Sequence, residues 1–169
     1  MKFIGRAFVV VLFGATLCSA QVNETMGTWK TNEAKSNLPA HFMHVNSDTY
    51  QAIGDTVSAS LLAKGLWLPE WKVKATTDAT GPDGQHLRIE WIGKFNSKDY
   101  PCTGDPTGDT RSYAGMGNHT MLMRKKKNGQ TVTTAKIVLA PDGKSRTIYI
   151  TGTDSSGNPV SATVVQDKE

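Results

Sequence analysis

Ten short runs of β-forming residues, most of them separated by turns that contain glycine, constrain the fold of this chain more than any other feature. Asp-Gly and Asn-Gly dipeptides supply the positive-φ residues that tight hairpin turns require. Because run follows turn throughout, neighbours in sequence are expected to be neighbours in an antiparallel sheet. The turn signals are Gly54-Asp55, Asp83-Gly84, Asn128-Gly129, Asp142-Gly143 and Ser156-Gly157-Asn158.

Alternation of apolar and polar side chains indicates which face of a strand is buried. Leu87, Ile89 and Trp91 share one face of their run, opposite Arg88 and Glu90. This period of two is typical of strands with one wet face. A helical turn is expected at 33–35, and 96–109 is expected to be the one long irregular connection. The predicted strands are 27–31, 43–53, 56–63, 70–77, 86–95, 110–115, 119–126, 131–140, 145–152 and 159–166.

The expected fold class is all-β, an antiparallel up-and-down β-barrel of about eight to ten strands. An open sheet of this many strands would leave two edges unpaired, and closure into a barrel removes both edges. The alternative that the pattern leaves open is a sandwich of two sheets, which shows the same alternation.

The N-terminus has the layout of a cleaved secretory signal. Lys2 and Arg6 precede an apolar stretch at 7–17, and small residues at 18–20 precede Gln21. The 11 residues of this stretch are fewer than the roughly 20 that a membrane-spanning helix needs. We therefore predict a signal peptide at 1–20, a single mature domain at 21–169, and a secreted or periplasmic location without stable membrane insertion. An uncleaved anchor and a lipoprotein attached through Cys18 are the alternatives.

Charge and cysteine content narrow the possible partners. Removal of 1–20 takes away Lys2 and Arg6 and no acidic residue, so the net charge of +4 falls to 17 − 15 = +2. So small an excess gives no strong argument for nucleic acid. Cys18 would be lost with the signal, and Cys102 alone cannot form an intramolecular disulfide. We expect Cys102 to be a small buried hydrophobe and the protein to be a monomer.

Gly27-Thr28-Trp29-Lys30 resembles the G-x-W motif of the calycin superfamily, which includes lipocalins and fatty-acid-binding proteins. In that family the tryptophan lies on the first strand and plugs the closed end of the barrel. The resemblance implies that Gly27 and Trp29 close the barrel, with a late basic side chain stacked on the tryptophan. Arg146 is the candidate, because it opens the ninth predicted strand and odd-numbered strands of such a meander begin at the Trp29 end.

Two longer stretches, 94–106 and 134–147, resemble exported lipocalin-like proteins of environmental bacteria whose function is uncharacterised. That resemblance covers nearly the whole mature chain. It implies a barrel and does not identify a ligand.

Two clusters of polar residues have both a chemical and a structural interpretation. His41 and His44 could bind a metal, but a third ligand would have to come from His86 or His119 on other strands. The alternative is ordinary histidines in loops or at strand edges. The segment 104–109 contains two aspartates that could hold calcium, but aspartate with proline and glycine is common in turns. We therefore expect no metal and no cofactor.

The basic run 124–127 ends a predicted strand just before the Asn128-Gly129 turn. Such charges most often form a solvated hairpin tip that discourages edge pairing. The sharper alternative is a patch that attracts anions or headgroups near a barrel mouth. No aromatic residue interleaves with the basic ones, so nucleic acid is not an expected partner.

The sequence contains no G-x-S-x-G, H-E-x-x-H or P-loop motif, and we do not expect an enzyme. Barrels of this size can hold one small molecule, and we expect a small apolar ligand inside. The first alternative is a solidly packed envelope or interaction protein that acts through its loops; an enzyme on a lipocalin-type scaffold is the last. The predicted ligand-binding residues are Trp71, Ile89, Trp91, Phe95, Ile148 and Ile150.

Overall fold

A computed structural model describes residues 24–39, 42–54, 72–116, 119–153 and 157–169. The strands are β1 (Gly27–Thr31), β2 (His44–Ile53), β3 (Lys72–Thr80), β4 (His86–Gly93), β5 (Tyr100–Thr103), β6 (Thr110–Gly115), β7 (Thr120–Lys127), β8 (Gln130–Leu139), β9 (Ser145–Thr153) and β10 (Pro159–Lys168). Each strand pairs with its sequence neighbours, and β1 pairs with β10 to close a ten-stranded antiparallel barrel. The predicted all-β barrel is confirmed.

The turn between β7 and β8 shows how local sequence sets the meander. Asn128 and Gly129 have φ angles of 51° and 78°. A two-residue turn with positive φ at both positions matches the twist of the strands it joins. Glycine adopts this conformation without strain, and asparagine is among the few other residues that tolerate it. The predicted turn at Asn128-Gly129 is therefore confirmed, as is the short helical turn, a 3-10 helix at Glu33–Lys35.

β5 corrects the expectation that 96–109 is irregular throughout. It has only four residues and makes two residue pairs with β4 and two with β6. It also contains Pro101, which cannot donate a hydrogen bond to a neighbouring strand. So short a run shows no period, and the proline indicated a loop. The predicted strand 56–63 lies outside the described residues.

The strand directions define two ends of the barrel. Odd-numbered strands begin at the end that contains Trp29, which we call the Trp29 end. The opposite end, which we call the cavity end, carries the turns 81–85, 104–109 and 128–129. Inward side chains fill the barrel toward the Trp29 end, where Trp29 is 0% and Trp91 is 1% exposed.

Candidate ligand-binding cavity

Trp29 is buried in the barrel near the end at which the odd-numbered strands begin. Its indole is fully buried, and its Nε1 donates a 2.8 Å hydrogen bond to the carbonyl oxygen of Thr25. The guanidinium carbon of Arg146 lies 4.6 Å from the centroid of the Trp29 ring. Lys168 Nζ lies 5.1 Å from the same ring and donates to the carbonyl oxygen of Glu24. The predicted contact between Arg146 and Trp29 is present.

A buried polar network holds Arg146 in this position. Arg146 donates from NH2 to Asp48 Oδ2 at 3.0 Å and from Nε to Gln166 Oε1 at 2.7 Å. Gln166 Nε2 and Thr77 Oγ1 also donate to the Asp48 carboxylate. A charge buried in this way is tolerated because an opposite charge and several hydrogen bonds replace its water.

A second set of rings fills the interior between β4 and β6. Trp91 lies 4.8 Å from Tyr113, 5.9 Å from Tyr100 and 6.0 Å from Phe95, measured between ring centroids. Trp91 Nε1 donates to the carbonyl oxygen of Arg111 at 3.0 Å. Gly93 leaves the room for these rings, since a Cβ there would lie 2.6 Å from Tyr100 Cγ. The described side chains in this part of the barrel are closely packed.

A cavity of about 780 Å3 occupies the interior from Tyr50 and Tyr113 to the cavity end. Its rim includes exposed Pro82 and Lys127. Burial, with the neighbouring Tyr113 as a further cause, raises the pKa of Tyr50 well above its usual range, so its phenol stays neutral. Most of the lining is apolar, and it includes Met43, Met123, Ala135, Ile137, Ile148, Ile150 and Val164.

Some of the predicted ligand-binding residues line the cavity, and others lie in the closely packed half of the barrel. Ile148 and Ile150 line the cavity. Ile89 lies in the core and is 1% exposed. Trp91 and Phe95 belong to the ring cluster, by which we mean Trp91, Phe95, Tyr100 and Tyr113. Among the described residues, these three predicted side chains do not line the cavity. Trp71 lies outside the described residues. Alternation indicated correctly that a side chain points inward, but it does not indicate how far along the barrel axis that side chain lies.

Two cations inside the barrel are the feature of the site that the sequence did not reveal. Arg111 and Lys125 face each other across β6 and β7, both line the cavity, and they are 7% and 8% exposed. Asp105 accepts from Arg111 NH2 at 2.8 Å, and its Oδ2 lies 3.4 Å from Lys125 Nζ. Burial alone would raise the pKa of Asp105, but the Lys125 and Arg111 charges outweigh burial and hold it at about 2.

The basic run 124–127 is split by the strand geometry. Lys125 points inward, Lys126 pairs with Asp99 at 2.6 Å, and Lys127 reaches the cavity rim. A signal for Lys125 was present, because Met121, Met123 and Lys125 share one face of the run. Consecutive basic residues instead favoured an exposed tip. The alternative of a cationic patch near a barrel mouth is therefore closer to the observed arrangement.

The polar clusters considered as metal sites have structural partners. Asp105 is bound to the buried cations, and Asp109 Oδ2 accepts from the backbone N–H of Asn128. His44 lies 3.3 Å from Glu33, and His41 is outside the described residues. Among the described residues, no three histidine, cysteine, aspartate or glutamate side chains are grouped to hold a metal ion. Cys102 is buried, and burial raises the pKa of its thiol.

In the ranges that the structure describes, no helix is both long and apolar enough to cross a membrane. In the barrel interior, the buried Trp29 end, an apolar cavity and two buried cations lie in series. No protein-family model, no curated protein and no solved structure matches this chain.

Proposed function

We propose that this protein is a non-enzymatic, lipocalin-like carrier that holds one small, largely apolar molecule inside its barrel. The observation that carries the proposal is the cavity of about 780 Å3 between the ring cluster and the cavity end. Pockets that bind small molecules typically measure roughly 300–1,000 Å3 and are lined by apolar side chains with a few polar groups. The cavity falls in that range, and its lining has that composition.

The packed half of the barrel near Trp29 supports the half that contains the cavity. Trp29, Arg146 and the rings around Trp91 pack closely in one half of the barrel. A floor of this kind keeps the remaining space open, because close-packed side chains on one side cannot move in to fill a void on the other. Removal of apolar ligand surface from water would then stabilise the complex.

The proposal includes export to a secreted or periplasmic location, with 1–20 as a cleaved signal. N-terminal sequencing of the exported protein should find Gln21 first, and Met1 at the N-terminus would contradict this part. Ligand binding inside the barrel does not depend on where the protein is located, so this result would not affect the proposal that the cavity holds a ligand.

Native mass spectrometry of protein purified from its own host tests carriage. The expected spectrum contains the mature chain with the added mass of one small molecule, which organic extraction removes. The extracted protein should regain one bound molecule when it is mixed with dodecanol. The bare mass both before extraction and after mixing would contradict carriage and favour a packed interaction protein that acts through its loops.

A further inference from the structure

The interior cations at the cavity end carry more positive charge than their counterion balances. Arg111 and Lys125 are direct cross-strand partners. Like charges placed directly opposite each other destabilise a strand pair. Asp105 relieves the repulsion, but one carboxylate neutralises only one of the two cations.

The other charged groups on the cavity wall do not supply the missing negative charge. Asp48 is committed to Arg146, which lies deeper in the barrel. Lys127, at the rim, adds a third cation. Among the described residues, the charges that line the cavity therefore leave an excess of positive charge at the cavity end.

Hydrogen-bond donors also remain available at this place. Arg111 Nε and Arg146 Nη1 are both buried without a hydrogen-bond partner among the described residues, and of these two residues only Arg111 lines the cavity. Lys125 Nζ donates to Thr107 Oγ1 at 2.5 Å and lies 3.4 Å from Asp105 Oδ2, so among the described residues its third N–H has no partner. A buried donor without a partner is costly, and native proteins rarely keep one unless something else binds there.

We propose that Arg111 and Lys125 form a subsite for a single anionic group on the apolar ligand. The inference rests on the proposed function and names the chemical class of the ligand as a monoanionic amphiphile. The anionic group lies at the cavity end, and the apolar body extends toward Tyr50 and Tyr113. Arg111 Nε and Lys125 Nζ donate charge-assisted hydrogen bonds to it, which are stronger than those between neutral groups.

Binding of an anion, unlike binding of a neutral molecule, would neutralise the excess charge. In a poorly hydrated interior the attraction between opposite charges is much larger than in water. A neutral ligand such as an alcohol can accept a hydrogen bond from Arg111 Nε, but it would leave the excess positive charge in place. A cationic ligand would add to the repulsion between Arg111 and Lys125.

Competition against an uncharged fluorescent apolar probe tests this subsite with three ligands of equal chain length. These are dodecanoate and dodecyltrimethylammonium, each below its micellar concentration, and dodecanol below its solubility limit. Dodecanoate should bind at least about tenfold more tightly than dodecanol, as expected for a hydrogen bond to a charged group. The ammonium compound should bind most weakly.

Two variants test whether Arg111 and Lys125 cause the preference for dodecanoate over dodecanol. Lys125→Met leaves a neutral pair of Arg111 and Asp105, and Arg111→Met leaves a neutral pair of Lys125 and Asp105, so each variant keeps its remaining charges matched. Either variant should bind dodecanoate and dodecanol with nearly equal affinity, because the preference for the anion depends on both cations. Lys136→Met, at an exposed position on β8, is the control and should keep the preference for dodecanoate.

These measurements distinguish failure of the anion subsite from failure of the proposed carrier function. Equal binding of dodecanoate and dodecanol by the wild-type protein would overturn the subsite and leave carriage intact. An unchanged preference for dodecanoate in Lys125→Met would also overturn it, even if Arg111→Met does not fold. Failure of the probe and of every competitor to bind would overturn the proposed function itself.

Discussion

Arg146 and Trp29 stack at 4.6 Å although their strands, β9 and β1, are separated by β10. Arg146 is 1% exposed and Trp29 is 0% exposed. A cation over an aromatic face is worth about 2 kcal/mol or more when both groups are shielded from water. The stack links non-adjacent strands through the interior, so it stabilises closure of the barrel as well as the local core.

Truncation of the indole should be among the most damaging changes in the chain. We expect Trp29→Ala to lower the free energy of unfolding by about 3–5 kcal/mol, because a large ring leaves a cavity and Arg146 loses its partner. Urea unfolding measures the loss. Tyr149→Ala, at a residue that is 50% exposed, is the control. A loss under about 1 kcal/mol for Trp29→Ala would mean that the indole does not seal the barrel.

Arg146 and Asp48 should behave as one unit. Arg146→Met leaves the Asp48 carboxylate buried without its cation, and we expect a cost of about 3–5 kcal/mol. Asp48→Asn in the same background should recover part of that cost, because the uncompensated charge is gone. A double-mutant cycle of unfolding free energies measures the coupling. Strictly additive effects of the two substitutions would show that the buried pair is not coupled.

Gly93 should not tolerate a side chain, although its backbone conformation is an ordinary one. A Cβ at this position would lie 2.6 Å from Tyr100 Cγ. We therefore expect Gly93→Ala to destabilise the protein by about 1–3 kcal/mol through overpacking. The cost should fall in part when Tyr100 is also changed to Ala, which removes the Cγ atom that the added Cβ would meet, while Trp91 Cζ2, which lies closer still to that Cβ, remains. A Gly93→Ala protein as stable as wild type would contradict the packing of the ring cluster.

Asp105 should make stability depend on pH in the acid range. Its pKa is about 2 in the folded protein and about 3.9 in an unfolded chain, so the folded state binds this proton less tightly. The stabilisation is therefore fully present above about pH 4 and is lost as the pH falls toward 2, a change of about 2 kcal/mol.

Asp105→Asn removes this contribution and leaves two buried cations facing each other. The stability difference between wild type and Asp105→Asn, from urea unfolding at a series of pH values, should be largest above about pH 5 and should narrow toward pH 2. Asp142→Asn, in an exposed turn, is the control. A difference that stays constant from pH 6 to pH 2 would contradict the Asp105 ion pairs.

Much of the barrel could be predicted because its turns carry their own chemistry. Asn128 and Gly129 adopt the backbone angles that their residue types favour, and the flanking strands follow. Arg146 could be assigned to the Trp29 end because strand directions alternate in any meander. Neither inference requires knowledge of how side chains pack.

The parts that sequence did not predict depend on packing. The sequence did not predict β5, because a strand of only four residues that includes Pro101 shows no alternation of apolar and polar side chains. Trp91 was predicted to line a cavity, but Gly93 and Tyr100 close the space around it. The interior position of Lys125 depends on Asp105, a counterion from a loop outside its own strand, and no local pattern encodes such a partner.

The space between Tyr50, Tyr113 and the cavity end should be the ligand site of this protein. Ala135 lines that space on β8 and is 1% exposed, whereas Ala114 lies on the opposite face of β6 from Tyr113. The most direct measurement titrates delipidated wild type, Ala135→Phe and Ala114→Phe with an uncharged fluorescent apolar probe. Saturable binding at one site per chain in wild type and Ala114→Phe, with at least about tenfold weaker binding in Ala135→Phe, is the expected result. Equal binding by all three proteins, or no saturable binding by wild type, would contradict it.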